Sequence, residues 1–134
     1  MNGRNLVILT GNIGTQPEAR TLEKGSQVVE FRMATNHWYK GNNDQHKERT
    51  DWHRVQAWGR TGAFCAEHLR KGDSVQVVGS IRNDVVTHEK HRRVFSSVRA
   101  WEVNLLSRRI SPTSKTPRHD ASMRSSLEKM SHNR

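Results

Sequence analysis

The stretch Thr50-Asp-Trp-His-Arg-Val-Gln-Ala-Trp-Gly59 reads as a β-strand, because strand side chains point to opposite faces in turn. One face carries Trp52, Arg54, Gln56 and Trp58; the other carries His53, Val55 and Ala57. The second set suits a small core. The first does not: two indoles with a guanidinium between them fit neither water nor a dry interior. Flat rings interleaved with cations suit a ligand with a flat face and a negative backbone, which describes a single nucleic-acid strand. A second reading stays open at this level, in which Trp52 and Trp58 are core residues and the Arg54 stem lies between them with its head in water.

Working outward, Gln27 to Thr35 also alternates. Val29, Phe31 and Met33 share one face, Glu30 and Arg32 the other, as in a half-buried antiparallel strand. Between these strands Asn36 to Arg49 is polar around Gly41-Asn-Asn-Asp44. It is expected as a loop or extended hairpin carrying Trp38, Tyr39 and Lys40. Nearer the start, Leu6-Val-Ile-Leu-Thr10 is a strand stopped by Gly11-Asn-Ile-Gly14, whose glycines suggest a bend or bulge. Pro17 to Leu22 can resume an edge strand, and Glu23-Lys-Gly-Ser26 reads as a hairpin turn.

Downstream, Arg60 to Arg70 loses the alternation. Phe64, Cys65, His68 and Leu69 make a short helical stripe, with Gly72 just past its end. Ser74 to Ile81 alternates again, with Val75, Val77 and Ile81 inward. Asn83 to Arg93 reads as a second polar loop, and Val94 to Leu106 as the last strand. Three strands, a helix and two strands, with long loops after the second and fourth, predict an all-β fold. The expected architecture is a five-stranded Greek-key barrel of the oligonucleotide-binding type, with one short α-helix between strands 3 and 4.

Composition agrees with a small binding domain. The chain has 134 residues and a formal net charge of +10, an imbalance that points to a polyanionic partner. Only 32% of residues are apolar, which leaves a small core. Cys65 is the single cysteine, so neither a disulfide framework nor a thiolate zinc cluster is expected. No apolar run approaches the roughly 18 residues of a bilayer span, and Leu6 to Thr10 is too short for a secretory signal; a cytoplasmic protein without membrane partners is the simplest reading. Residues 1–106 are expected to form the domain. Residues 107–134 differ in kind: they are serine-rich, hold two prolines, and set seven basic residues against two acidic ones, as in a disordered basic tail. Met123, Leu127 and Met130 have the spacing of a short helix formed on a partner.

Residues 5 to 106 resemble the bacterial single-stranded DNA-binding proteins. The matching pieces are Asn5-Leu-Val-Ile-Leu-Thr-Gly-Asn-Ile-Gly14, Pro17-Glu-Ala-Arg20, Ala34-Thr35 followed by Trp38, Lys47-Glu-Arg-Thr-Asp-Trp-His-Arg-Val55, Gly59-Arg60, Glu67-His-Leu-Arg-Lys-Gly72 and Val77-Val-Gly-Ser-Ile-Arg82. Each alone is weak; their joint order and spacing carry the likeness. The resemblance implies the barrel already inferred, assembled as a homotetramer that wraps single-stranded DNA. It implies base stacking on Trp38, Trp52 and Trp58, and backbone contacts from Arg54, Arg60, Lys71, Arg82 and Arg20, with Lys40 beside Trp38. His53 matches a family histidine near a subunit interface, although a satisfied core histidine fits the same face.

Three departures accompany the likeness. Val86 stands where the family usually has a tryptophan in the loop between strands 4 and 5, and Asp84 replaces a neighbouring arginine. Trp101 has no family counterpart and is read as packing. The family's acidic, apolar tip is not found in Lys129-Met-Ser-His-Asn-Arg134, which puts recruitment of replication proteins through an acidic tail in question. The expected function is sequence-independent binding and protection of single-stranded DNA, without catalysis, cofactor or metal. A metal-dependent nuclease is the enzyme rival, but the eight histidines scatter without carboxylates beside them, and zinc sites need three or four converging ligands. An adaptor of the primosome or an RNA-binding barrel is the alternative within the same fold.

Overall fold

The computed structural model describes residues 2–109. In chain order they form β1 (Val7–Ile13), β2 (Glu18–Thr21), β3 (Gln27–Lys40), β4 (His46–Trp58), α1 (Gly59–His68), β5 (Ser74–His88) and β6 (His91–Ser107). Pairing runs β1 to β5, β5 to β6, β6 to β4 and β4 to β3, and β3 returns to β1. Five strands therefore close into a barrel of the expected oligonucleotide-binding kind. The β4–β6 ladder, from Val55 beside Val98 to Ala57 beside Ala100, is parallel. A parallel pair needs a crossover, and α1 with β5 supplies it. Both β1, at Met33 and Ala34, and β2, at Gln27 to Glu30, pair with β3, so they act as one strand broken at Gly14 to Pro17.

The buried core follows the alternation. Val29, Phe31 and Met33 of β3, Val55 and Ala57 of β4, and Val75 and Val77 of β5 all lie inside, with Ile13, Val98, Ala100 and Val103. From α1, Cys65 and Leu69 complete it, while His68 of the expected stripe is exposed and its ring centroid lies 5.1 Å from that of Phe64. Burial pushes the Cys65 thiol up to about 12, so it behaves as a small apolar group. Gly72 closes the turn after α1 with φ +95°, a conformation that favours glycine. Asp73, only 2% exposed, accepts the backbone N–H of Arg70 at 2.9 Å and of Arg109 at 3.2 Å. One carboxylate thus ties the helix exit to the end of β6.

Two expectations need correction. Ile81 was expected inward, yet it is 45% exposed. It keeps the inward phase of β5, but the β1 ladder ends at the Val7–Gly79 pair, so no β1 residue pairs with it and its side chain stays partly open to solvent. Asn83 to Arg93 is not a loop. It forms the arms of the β5–β6 hairpin, paired out to His88 and His91, with Glu89 at φ 56° in the tip. Asn36 to Arg49 likewise takes the extended-hairpin form, paired out to Lys40 and His46. Both arms are exposed on both faces, so no apolar period marks them. The expected basic tail falls, from residue 110 onward, outside the described residues, as does the helix proposed around Met123 to Met130. Among the described residues no helix is long and apolar enough to cross a membrane.

Phe31 is 1% exposed and Phe95 45%, although both are strand phenylalanines. Phe31→Ala should lower unfolding free energy by about 3–5 kcal/mol through the cavity it leaves. Phe95→Ala should stay within about 0.5 kcal/mol, as surface changes do. Denaturant titration of the two variants checks this; equal losses would contradict the inward and outward assignment.

Candidate nucleic-acid interface

The β3–β4 register decides which side chains meet. It sets Trp38 opposite Glu48, Ala34 opposite Trp52, Arg32 opposite Arg54, Glu30 opposite Gln56 and Val28 opposite Trp58. With strict alternation, these residues all share the face away from the core. Trp38, Trp52 and Trp58 therefore lie on one surface with Arg32 and Arg54. Trp38 is 64% and Trp52 60% exposed, which excludes the core reading for Trp52. Trp52 rests against Gly14, where a Cβ would come 2.2 Å from its ring; the glycine that bends the first strand also makes the seat for an indole. Trp58 is half-buried, and the Arg99 guanidinium lies 4.2 Å from its ring centroid, a cation–π contact.

The surface continues onto β6 and β5. Arg99 is the parallel partner of Gln56, and antiparallel pairing sets Ser97 beside Arg82 and Phe95 beside Asp84. A groove of about 450 Å³ runs between Glu30, Arg32, Trp52, His53, Arg54, Phe95 and Ser96. Phe95, Arg99 and Arg32 were not among the residues singled out from sequence. The signal existed: once Val98 and Ala100 are placed inward, Phe95 and Arg99 must face outward.

The cations are not equivalent. Arg54 is engaged with Glu30, Nε to Oε1 at 2.5 Å and Nη2 to Oε2 at 3.1 Å. Gln56 donates to the same carboxylate at 3.3 Å, and Arg20 approaches it to 3.6 Å. The hydrogen bond from Arg54 holds the Glu30 carboxyl below its usual range against the opposing effect of burial, and the same bond raises Arg54. Arg82 lies 3.7 Å from Asp84 and Lys40 3.4 Å from Asp44. Arg60 in the first turn of α1 and Lys71 in the α1–β5 turn are exposed. Val86 is 50% exposed opposite Arg93, on the same face as Asp84.

His53 takes the opposite phase of β4 from the tryptophans, yet it lines the same groove as Trp52. Its Nε2 lies 2.8 Å from the Thr35 hydroxyl, and it lines a largely apolar cleft of about 220 Å³ with Val7, Leu9, Ile81 and Val98. That places it at the open mouth of the barrel, half-buried. Trp101 was read as packing, and this is corrected: it is 55% exposed. The reason is a break in the ladder, where Gly79 pairs with Ala100 and Val78 with Glu102, leaving Trp101 as an extra residue turned outward. Among the described residues no three His, Cys, Asp or Glu side chains gather in a way that could hold a metal ion.

Comparison with known proteins gives the same picture. Single-stranded DNA-binding protein 1 of Chlorobaculum tepidum is 39% identical over 80 residues, covering 60% of this chain and 49% of that protein. The single-stranded DNA-binding protein of Xylella fastidiosa is 35% identical over 108 residues, 80% of this chain and 66% of that protein. The chain thus spans about half to two-thirds of the length of these curated relatives. Among solved structures, the Plasmodium falciparum SSB complex with ssDNA superposes with TM-score 0.69 at 27% identity, over 81% of this chain and all of that one (100%). The small single-stranded DNA-binding protein of Streptomyces coelicolor, at 24% identity and TM-score 0.64 over 78% of this chain and 95% of that one, shares the fold. Residues 4–106 match the Single-strand binding protein family, and with the barrel and its tryptophan face in place, the chain belongs to that family.

Proposed function

We propose that this chain binds single-stranded DNA without sequence preference and without catalysis, as a cytoplasmic protein serving replication, recombination or repair. The observation that carries the reading is the exposed face shared by Trp38 and Trp52 and continued by the Trp58–Arg99 pair. Bases leave their own stack and lie on these rings. Every base has an aromatic face, so little sequence preference follows. Arg32 and Arg54 share the face of the rings, and with Arg20, Arg60, Lys71 and Arg82 they displace counterions from phosphates. Duplex DNA, whose bases are already stacked, binds poorly.

Glu30 tempers this surface. Its carboxylate occupies the side chain of Arg54 and draws Arg20 toward it, so a phosphate must compete for both. A homotetramer is part of the same proposal. Leu6, just before β1, and Ile8, on its outward side, are 57% and 59% exposed, with Ile8 opposite Val78. Such apolar area is better covered by a second copy than by water, and His53 lies near the same end of β1 beside Val7 and Leu9.

Trp52→Ala should weaken binding to poly-dT by about 1–3 kcal/mol, equally on mixed sequences, with reduced quenching of tryptophan fluorescence; a loss confined to one sequence would contradict stacking. Affinity should fall with salt at a log–log slope of about −0.7 per neutralised phosphate. Glu30→Gln should tighten binding at low salt and steepen that slope, because released arginines take up phosphates; an unchanged slope removes the competing role of Glu30. Light scattering should report four chains per particle, and Ile8→Asp should shift it toward smaller species.

A further inference from the structure

We propose that Trp101 is a further base-stacking residue, taking the nucleotide next to the Trp58–Arg60 corner. This rests on the single-stranded DNA reading above and adds to it a residue without counterpart in the tryptophans read from sequence.

Four observations place Trp101 on the strand path. First, it is exposed to 55%, as Glu102 beside it is exposed, between Ala100 and Val103, buried at 6% and 7%. Second, the bulge in the β5–β6 ladder leaves Trp101 without an opposite residue, and bulges commonly re-aim a side chain near a binding site. Third, β4 and β6 run parallel up to the Ala57–Ala100 pair. One residue further on each strand stand Trp58 and Trp101, with Arg99 already on the Trp58 ring at 4.2 Å. Fourth, the Thr61 hydroxyl donates to the Trp101 carbonyl at 3.0 Å. Thr61 follows Arg60 in the first turn of α1, so the backbone beneath the indole is fixed to the element that carries Arg60.

A flat ring, two neighbouring arginines and a restrained backbone repeat the composition of the surface around Trp52. The carboxylate next in sequence, Glu102, is turned to Asn104, whose side-chain amide donates to it at 3.0 Å. Trp101 therefore contributes stacking, with no phosphate contact of its own.

The test compares Trp101→Ala, Trp101→Phe and Trp52→Ala in the full chain, titrated with oligo-dT of increasing length. Trp101→Ala should lose roughly five- to 150-fold in affinity on longer oligonucleotides, with the salt slope and the particle mass unchanged, and Trp101→Phe should restore most of it. If Trp101→Ala binds as the unmodified chain while Trp52→Ala is weakened, Trp101 lies off the path and only this inference falls. If Trp52→Ala binds as the unmodified chain too, the stacking reading falls with it. A changed particle mass would assign Trp101 to a contact between copies and overturn the proposal. As a second readout, replacing Trp38, Trp52 and Trp58 by Phe leaves Trp101 as the only indole of the four. Its fluorescence should be quenched on adding oligo-dT, and an unchanged signal counts against stacking there.

Discussion

From the Val28–Trp58 pair to the Lys40–His46 pair, each residue of β3 faces one residue of β4 without a shift. Because the side-chain period in a strand is two, slipping this ladder by one residue would send Trp52 and Trp58 to the opposite phase from Trp38 and Ala34. The pairing is held by burial: Phe31 opposite Val55 and Val29 opposite Ala57 are all inside the barrel. The outward surface is thus a by-product of the core. The same alternation that removes Val55 from water forces Arg54 and Trp52 into it.

That outward surface is a compromise between folded-state pairing and an incoming polyanion. Arg54, the cation between the two indoles, is partnered by Glu30 with well-aligned hydrogen bonds. Such a pair, part-buried against the barrel, orients the guanidinium and limits the repulsion among Arg20, Arg32 and Arg54. It also means that the cation between Trp52 and Trp58 on β4 is not the one most available to phosphate. Arg99 meets a similar need differently, since its charge rests on the Trp58 ring and its plane can itself serve as a stacking surface. The proposed path therefore combines open rings at Trp38 and Trp52, a ring already covered at Trp58, and a ring turned out by a bulge at Trp101.

Much of this was legible residue by residue. The strand from Thr50 to Trp58 declared its two faces because apolar and polar positions alternate there, and the core residues Val29, Phe31, Met33, Val75 and Val77 followed from the same period. Gly14 marked the broken first strand, whereas Gly11, expected to stop it, lies within the β1–β5 ladder. The hairpin arms beyond Thr35 and Ile81 were harder, since strands wet on both faces carry no period and only ladder hydrogen bonds reveal them. Ile81 misled because phase says which face a residue takes but not where the barrel ends. Trp101 misled because a bulge suspends the period for one residue.

The sequence by itself determined the barrel, the helix between its third and fourth strands, and the common face of Trp52, Arg54 and Trp58, because these depend on local alternation and on short-range turn chemistry. Only the tertiary structure decided which cations are already partnered, that Phe95 and Arg99 join the tryptophans, and that Gly14 seats Trp52. Those facts arise from strands far apart in the chain meeting side by side, and distances across a ladder are not written in the spacing along one strand.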